Sequence, residues 1–214
     1  MSHHHHSVLS HLLSANSQWA DKVAQAEPDF FPKSAQGQYP KVLWIGCADS
    51  RVPESVVTGS RPGDIFVHRN IANQFHLHDD SALSVLTYAI KVVGVEHVVI
   101  VGHTKCGGAI ACYDAAKEAG TNSGTELGSE SPINRWLAPL TKLAGSLDLP
   151  SDANEAVTVL VKENVKVQVA NVCKAEPVVS SWAHPEKRKP VTVHGWLYDV
   201  ETGRIEDLNI TQTA

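Results

Sequence analysis

The apolar residues of this chain follow two different spacings, and each spacing predicts a different kind of element. Over residues 7–26 they recur every three or four positions, which predicts an amphipathic helix whose apolar stripe must cover its own domain or a partner subunit. Short apolar runs that end in glycine, at residues 41–46 and 97–102, predict buried strands. Further strands are predicted at residues 64–67, 191–200 and 204–210, and further helices at residues 109–119, 132–145 and 152–175.

The order of these elements predicts the fold class. Strands alternate with helices, which is typical of an α/β protein with a mostly parallel central β-sheet flanked by helices. Ser81 is expected to cap one helix and Gly94 to end it, while two prolines break the chain after the first helix. We expect a single domain over residues 7–214, with the polar stretch 120–131 as a loop. The four histidines within residues 1–6 indicate an expression tag or a disordered start.

Composition and charge argue against several classes of protein. With 43% hydrophobic and 19% charged residues over 214 positions, the chain can build a sizeable core. Its formal net charge of −5 argues against nucleic-acid binding, and no apolar run reaches the roughly 18 residues of a membrane span. Four cysteines are too few for a disulfide-stapled secreted domain. Because the amino terminus lacks the features of a signal peptide or a mitochondrial presequence, we expect a cytoplasmic location.

Two predicted strands are each followed by residues that bind metals. Cys47 follows the first strand in the stretch C-A-D-S-R, and His103 and Cys106 follow another in the stretch H-T-K-C. Because the carboxyl ends of parallel strands share one edge of a sheet, we expect these side chains to converge. Two thiolates and an imidazole suit zinc better than magnesium or calcium, and a three-residue set leaves a fourth position for water or substrate. The pattern predicts a zinc site of the catalytic type.

Asp49 and Arg51 lie in the first of these stretches and change its electrostatics. Two thiolates already neutralise the charge of Zn²⁺, so the ion should acidify bound water less than a site of three histidines would. A nearby carboxylate would offset this weaker effect by accepting a hydrogen bond from the metal-bound hydroxide. The planar guanidinium of an arginine would keep this carboxylate ionised and oriented. If the segment is extended, Cys47, Asp49 and Arg51 lie on one side of it. Asp49 and Arg51 are therefore candidate catalytic residues.

The same residues also allow plainer interpretations. A cysteine on a buried strand is usually an apolar filler, and Asp–Arg pairs are common structural links. Cys112 lies about 240° around a helix from Cys106 and should point elsewhere, and Cys173 is expected to serve in packing. The glycines at residues 107 and 108 either bind an anion through backbone N–H groups or let the backbone approach the metal loop. The remaining histidines are expected to be surface or hydrogen-bonded residues: His68, His76, His78, His97, His184 and His194.

Taken together, the motifs resemble those of the β-carbonic anhydrase family. The stretch at residues 47–51 is similar to its first motif, and G-H-T-K-C-G-G at residues 102–108 is similar to its second. The stretches F-V-H-R-N-I-A-N at residues 66–73 and H-G-W-L-Y-D-V at residues 194–200 are also similar, whereas residues 120–190 match only loosely. The combination of these motifs is specific.

The resemblance implies a zinc enzyme that interconverts carbon dioxide and bicarbonate. It implies attack on carbon dioxide by zinc-bound hydroxide, with Cys47, His103 and Cys106 as the ligands of one Zn²⁺ per subunit. Asp49 and Arg51 would form the catalytic dyad of the family.

The resemblance also implies where substrate binds and how subunits associate. Gln38 matches a glutamine that hydrogen-bonds substrate or bicarbonate, and Phe66, Ile71 and Tyr88 match residues of an apolar carbon dioxide pocket. An apolar lining suits a neutral gas that offers few hydrogen bonds. The family is built from dimers, so a homodimer or a tetramer of dimers is expected, with the first helix packed on the partner subunit.

One branch of the family switches itself off, and the resemblance extends to that branch. Trp44, Arg69 and Tyr198 stand where its members form a non-catalytic bicarbonate pocket, whose occupation favours Asp49 as a fourth zinc ligand in a closed state. An arginine can hold a small anion in this way. The alternative is that Trp44 and Tyr198 are ordinary core aromatics and that Arg69 is structural.

Three other functions stay open at this point. The same zinc chemistry could attack carbon disulfide or carbonyl sulfide, which the loops and the access tunnel would decide. A zinc-stabilised module without catalysis would keep Asp49 as a permanent fourth ligand. A redox dithiol is disfavoured because Cys47 and Cys106 lack Cys-x-x-Cys spacing.

Overall fold

The fold is given by a computed structural model that describes residues 5–120 and 131–214. The predicted loop at residues 120–131 lies almost entirely outside the described residues, as do the first four residues of the histidine-containing start. Contacts divide the chain into two compact units, Met1–Gln38 and Tyr39–Ala214. The single domain expected over residues 7–214 stays a prediction.

The first unit contains the predicted amphipathic helix. This helix is α1, His5–Ala26, and a short helix α2, Phe30–Ser34, follows it. The expected break at Pro32 is wrong, because this proline lies in the first turn of α2, where a helix does not need its N–H group. The apolar stripe of α1 is exposed in the single chain and includes Val8, Leu9, Leu12, Leu13 and Trp19.

The second unit is built around a sheet that has five strands among the described residues. In spatial order the strands are β2 (Ile65–Asn70), β1 (Val42–Cys47), β3 (His97–His103), β4 (Thr192–Asp199) and β5 (Arg204–Asp207). The strands β1 to β4 are parallel, and β5 runs antiparallel to β4. The predicted α/β fold with a mostly parallel sheet is confirmed.

Helices connect the strands and pack on the sheet. They are α3 (Glu54–Thr58), α4 (Asp80–Tyr88), α5 (Gly107–Gly120), α6 (Pro132–Ser146), α7 (Ala153–Lys174) and α8 (Glu176–Ala183). A π-helical turn, Ala89–Val93, continues α4, and a 3-10 turn, Ile71–Asn73, follows β2.

Two helix boundaries differ from the prediction for local physical reasons. Asp79, rather than Ser81, caps α4, because its carboxylate accepts hydrogen bonds from the N–H groups of Ser81 and Ala82. The long helix α7 ends at Lys174, since the next residue is extended and Pro177 starts the separate helix α8.

The sheet separates two apolar clusters and brings the candidate metal ligands to one edge. Along β1 the side chains alternate: Trp44 packs in one cluster, whereas Leu43 and Ile45 pack in the other. Cys47 is the last residue of β1 and His103 is the last residue of β3, and these strands are parallel neighbours. Both side chains therefore leave the sheet at the same edge.

Candidate metal centre

Three buried side chains converge where β1 and β3 end. The sulfurs of Cys47 and Cys106 and a ring nitrogen of His103 all lie within 4.8 Å of one another. Within residues 5–120 and 131–214, no other group of three His, Cys, Asp or Glu side chains offers a metal site of this kind. The convergence expected from the two strand ends is therefore present in the structure.

The hydrogen bonding of His103 leaves one nitrogen free for a metal. Its Nδ1 lies 2.9 Å from the carbonyl oxygen of Thr104, which can only accept, so Nδ1 carries the proton. Its Nε2 is buried and makes no hydrogen bond to the described residues. A lone pair on a buried imidazole nitrogen beside two sulfurs fits a zinc ion of the Cys₂His type.

The two cysteines are electrostatically coupled. The pKa of Cys47 lies well below its ordinary value, because the hydrogen bond from the Cys106 thiol and those from two backbone N–H groups outweigh burial. The pKa of Cys106 is raised by its hydrogen bond with Cys47 and by burial. The pair therefore shares one proton, which a divalent cation would displace.

Backbone N–H groups stabilise both sulfurs. Cys47 receives hydrogen bonds from the N–H groups of Asp49 and Ala72, and Cys106 receives them from Gly108 and Ala109 at the start of α5. The N–H groups at the glycine-rich start of α5 are thus directed at the sulfur of Cys106, and anion binding there stays a prediction. The close approach expected there is also present, since a Cβ at Gly108 would lie 3.1 Å from the Cβ of Ala72.

The nearness of the two sulfurs weakens one argument against a redox dithiol. Cys47 and Cys106 are far apart in sequence but adjacent in space, so their spacing along the chain does not by itself exclude a disulfide. The free nitrogen of His103 beside them favours a metal centre, because a dithiol has no need of it.

Asp49 and Arg51 form a bidentate ion pair at the edge of this centre. The Nε of Arg51 donates to Oδ1 of Asp49 at 3.0 Å, and its Nη2 donates to Oδ2 at 2.7 Å. These bonds hold the pKa of Asp49 well below its usual range. Oδ2 of Asp49 lies 3.9 Å from Nε2 of His103, so the ionised carboxylate lies next to the three candidate metal ligands.

The backbone forms a turn at residues 49–52, so the condition of an extended segment, under which Cys47, Asp49 and Arg51 would lie on one side, is not met. The N–H of Arg51 donates to Oδ1 of Asp49 at 2.9 Å, and the N–H of Val52 donates to the carbonyl of Asp49 at 3.2 Å. The turn folds the arginine back onto the carboxylate, which is how the two side chains meet. Nη2 of Arg51 also donates to the carbonyl of Lys105 at 3.1 Å, a contact that no sequence pattern indicates.

The residues expected to line a carbon dioxide pocket are partly open to solvent in the single chain. The rings of Phe66 and Tyr88 stack with centroids 6.0 Å apart. Ile71 is 41% exposed and Tyr88 is 49% exposed, so this apolar surface needs a cover before it can form a closed pocket. Gln38 is exposed and is the last residue of the first unit.

The three residues of the expected bicarbonate pocket have different surroundings. Trp44 and Tyr198 are buried in the same apolar cluster. Arg69 donates to the carbonyl oxygens of Cys47 at 2.8 Å and Asp49 at 2.5 Å, which ties β2 to the metal loop. The structure thus gives Arg69 a structural contact of its own, while the regulatory role stays a prediction.

The sequence and the fold both match one family. A family model described as "Carbonic anhydrase" matches residues 42–205. A carbonic anhydrase from Emericella nidulans is 37% identical over 200 residues, covering 93% of this chain and 82% of the relative. One of two tetrameric β-carbonic anhydrases from Sordaria macrospora has a TM-score of 0.83 at 36% identity, covering 96% of this chain and 99% of that chain. A Coccomyxa β-carbonic anhydrase, solved in complex with acetazolamide, has a TM-score of 0.82 at 32% identity, covering 96% and 88%.

The chain therefore belongs to the β-class carbonic anhydrase family and is an enzyme of the carbonic anhydrase type. Membership supports hydration of carbon dioxide as its reaction. None of the helices in the described parts of the chain is long and apolar enough to cross a membrane.

Proposed function

We propose that this chain catalyses the reversible hydration of carbon dioxide to bicarbonate and a proton in a zinc-dependent reaction. One observation carries the proposal: Nε2 of His103 is buried, makes no hydrogen bond to the described residues, and borders two cysteine sulfurs and an Asp–Arg pair. Cys47, His103 and Cys106 would hold one Zn²⁺ per subunit. When bound, zinc supplies a Lewis acid that makes water a nucleophile near neutral pH.

In this proposal, Asp49 and Arg51 act on the proton of the reacting water. Asp49 accepts a hydrogen bond from that water through Oδ2, the oxygen next to the candidate metal ligands. Arg51 occupies both carboxylate oxygens and so keeps Asp49 ionised, which leaves it an acceptor and unable to donate.

The apolar substrate site would be completed by a second copy of the chain. Phe66, Ile71 and Tyr88 would form one wall of the carbon dioxide pocket, and Gln38 would hydrogen-bond substrate or bicarbonate. The exposure of Ile71 and Tyr88 supports a cover from a partner subunit. The tetrameric relatives from Sordaria macrospora support a homodimer or a tetramer of dimers. A cytoplasmic location without nucleic-acid partners completes the proposal.

In this proposal the resting site is open, which means that Asp49 is not a zinc ligand. Bicarbonate bound by Trp44, Arg69 and Tyr198 would regulate the enzyme by favouring the closed state. Asp49 directs both carboxylate oxygens to Arg51, which supports an open state in which it is not a fourth metal ligand. Bicarbonate is expected to inhibit hydration in mildly acidic buffer and to inhibit less in alkaline buffer. Inhibition of the same strength in both buffers would remove the closed state from the proposal.

The decisive experiment is stopped-flow carbon dioxide hydration in alkaline buffer, on protein whose zinc content has been measured. We expect rapid turnover in the unmodified chain. The Cys106→Ser variant should lose both zinc and turnover, whereas Asp49→Ala should keep its zinc and lose about 100-fold or more in kcat.

Each contrary result points to a different function. One zinc per subunit without carbon dioxide hydration would exclude the proposal, and hydrolysis of carbon disulfide or carbonyl sulfide would then be assayed. If Asp49→Ala instead lowers zinc affinity and the free energy of unfolding, Asp49 is a metal ligand of a structural zinc module.

A further inference from the structure

A single peptide group connects helix α6 to the metal centre. The indole Nε1 of Trp136 donates a hydrogen bond of 2.9 Å to the carbonyl oxygen of Ile71. The same peptide group carries the N–H of Ala72, and this N–H hydrogen-bonds the sulfur of Cys47. In a trans peptide the C=O and N–H bonds point in opposite directions, so holding the oxygen fixes where the N–H points.

This peptide group lies in a turn whose backbone is strained. Ala72 has φ 61° and ψ 32°, and Asn73 has φ 47°, which are left-handed conformations that residues with a Cβ rarely adopt. Such a conformation persists only where surrounding contacts fix it. On the far side of Ala72, its carbonyl accepts hydrogen bonds from Nε2 of Gln74 at 2.8 Å and Nδ2 of Asn164 at 3.1 Å.

The two peptide groups of Ala72 are therefore held by different helices. Asn164 of α7 holds the group after Ala72, and Trp136 of α6 holds the group before it, from which the N–H points at the sulfur. Hydrogen bonds in a chain polarise one another, so a donor on the Ile71 oxygen also makes the Ala72 N–H a stronger donor.

We propose that Trp136 is a positioning residue for Cys47: its indole N–H fixes the Ile71–Ala72 peptide group so that the Ala72 N–H stays directed at the sulfur. Trp136 itself touches no reacting atom in this proposal. The inference rests on the proposed role of Cys47 as a zinc ligand and goes beyond it, because it adds a residue that does not touch the metal centre.

The test is a Trp136→Phe variant, which removes the N–H donor and keeps an aromatic ring. The ring still packs on His76, whose centroid lies 4.4 Å from that of Trp136. Trp182→Phe is the matched control, because the Nε1 of Trp182 makes the same kind of bond, 2.8 Å to the carbonyl of Val191, within the other apolar cluster. Both variants are loaded with Co²⁺ in place of zinc, and the thiolate-to-cobalt charge-transfer band is recorded.

We expect the charge-transfer band of Trp136→Phe to move to longer wavelength, because a sulfur that loses a hydrogen bond gives up electron density more readily. Zinc affinity, measured by competition with a chromophoric chelator, should fall about tenfold, because the Ala72 N–H is no longer held toward the sulfur and a hydrogen bond to a metal ligand is weakened. The Trp182→Phe variant should match the unmodified chain in both measurements.

Two outcomes overturn the inference: both variants keep the band and the affinity of the unmodified chain, or both change by the same amount. Failure of the unmodified chain to bind Co²⁺ or zinc would instead overturn the proposed function. If Trp136→Phe does not fold, benzothienylalanine at position 136 provides the same test, because it keeps the shape of the indole and replaces its N–H with sulfur. An unchanged band in that protein would equally exclude the role of Trp136.

Discussion

At the scale of single residues, the two adjacent glycines at the start of α5 have different surroundings. A Cβ at Gly107 would meet no atom within 4 Å. A Cβ at Gly108 would lie 3.1 Å from the Cβ of Ala72 and 3.2 Å from Cγ2 of Ile71, closer than ordinary contact. Because Gly108 has no side chain, the start of α5 can pack closely against the strained turn beside the metal centre.

Gly108→Ala is expected to destabilise the protein and to weaken metal binding. The added methyl group must push the turn away from α5, which should lower the free energy of unfolding by about 1–3 kcal/mol. Because the turn supplies an N–H to Cys47, zinc affinity should fall as well. Urea unfolding and zinc competition with a chelator measure the two effects.

Gly107→Ala is the matched control at the neighbouring position. With open space around the added methyl group, its free energy of unfolding should stay within about 0.5 kcal/mol of the unmodified chain. Equal losses in the two variants would show that the contact of residue 108 with the turn does not determine the result.

At the scale of elements, the packing of α7 on the sheet depends on a glycine in β3. A Cβ at Gly102 would lie 2.7 Å from Cγ2 of Val165 and 2.8 Å from Cγ1 of Val161, both on α7. The helix thus packs directly on the strand backbone one residue before His103. From this position, α7 also presents Asn164 to the turn beside the metal centre.

Gly102→Ala should separate α7 from the sheet. We expect the free energy of unfolding to fall by about 1–3 kcal/mol, because neither valine can move without disturbing the core. Gly145→Ala, near the end of α6, should instead stabilise the protein by roughly 0.5 kcal/mol, because alanine suits a helix better than glycine. Its added methyl group would make only an ordinary contact, 3.8 Å from the Cβ of Ala116. Thermal unfolding measures both effects, and a change in Tm of the same sign in both variants would contradict this account.

At the scale of the whole molecule, one carboxylate links three segments at the edge of the sheet opposite the metal centre. Glu96 precedes β3 and pairs with Lys41 before β1, at 2.8 Å, and with Lys189 before β4. The hydrogen bonds from Lys189 and Lys41 lower the pKa of Glu96 from its ordinary value of 4.5 to about 2.

This shift predicts a pH-dependent contribution to stability. Because the folded-state pKa is the lower one, the stabilisation is fully present above pH 4.5 and is lost as the pH falls toward about 2. The difference in free energy of unfolding between the unmodified chain and Glu96→Gln should therefore shrink as the buffer is acidified. Urea unfolding over a series of acidic buffers checks this expectation, and a constant difference would contradict it.

The apolar stripe of α1 predicts how the chain assembles. Within its own unit this face leaves Leu9, Leu12 and Leu13 more than half exposed, which a second copy would cover. Leu12→Glu with Leu13→Glu should convert the oligomer to a single chain in light scattering. Ser10→Glu with Ser14→Glu adds the same charge to the polar side of the helix and should leave the oligomer intact. An unmodified chain that is already monomeric would exclude the proposed assembly.

The sequence by itself determined the fold class and which side chains converge where the strands end. Apolar runs that end at Gly46 and Gly102 predicted two buried strands. The rule that parallel strands end at one edge of a sheet then predicted that Cys47, His103 and Cys106 converge. These features are local in sequence, because a strand and the residue that follows it are read from a few consecutive positions. The amphipathic period of the first helix is equally local.

Only the tertiary structure decided how the site is held together. The turn that folds Arg51 onto Asp49, the left-handed Ala72 and the hydrogen bond from Trp136 leave no periodic pattern in the sequence. Each depends on the direction of a backbone bond or on side chains that are distant in sequence and become neighbours only after the sheet and helices have packed. Spacing along the chain can indicate which residues bind a metal, whereas the donors that orient their sulfurs are fixed by three-dimensional contacts.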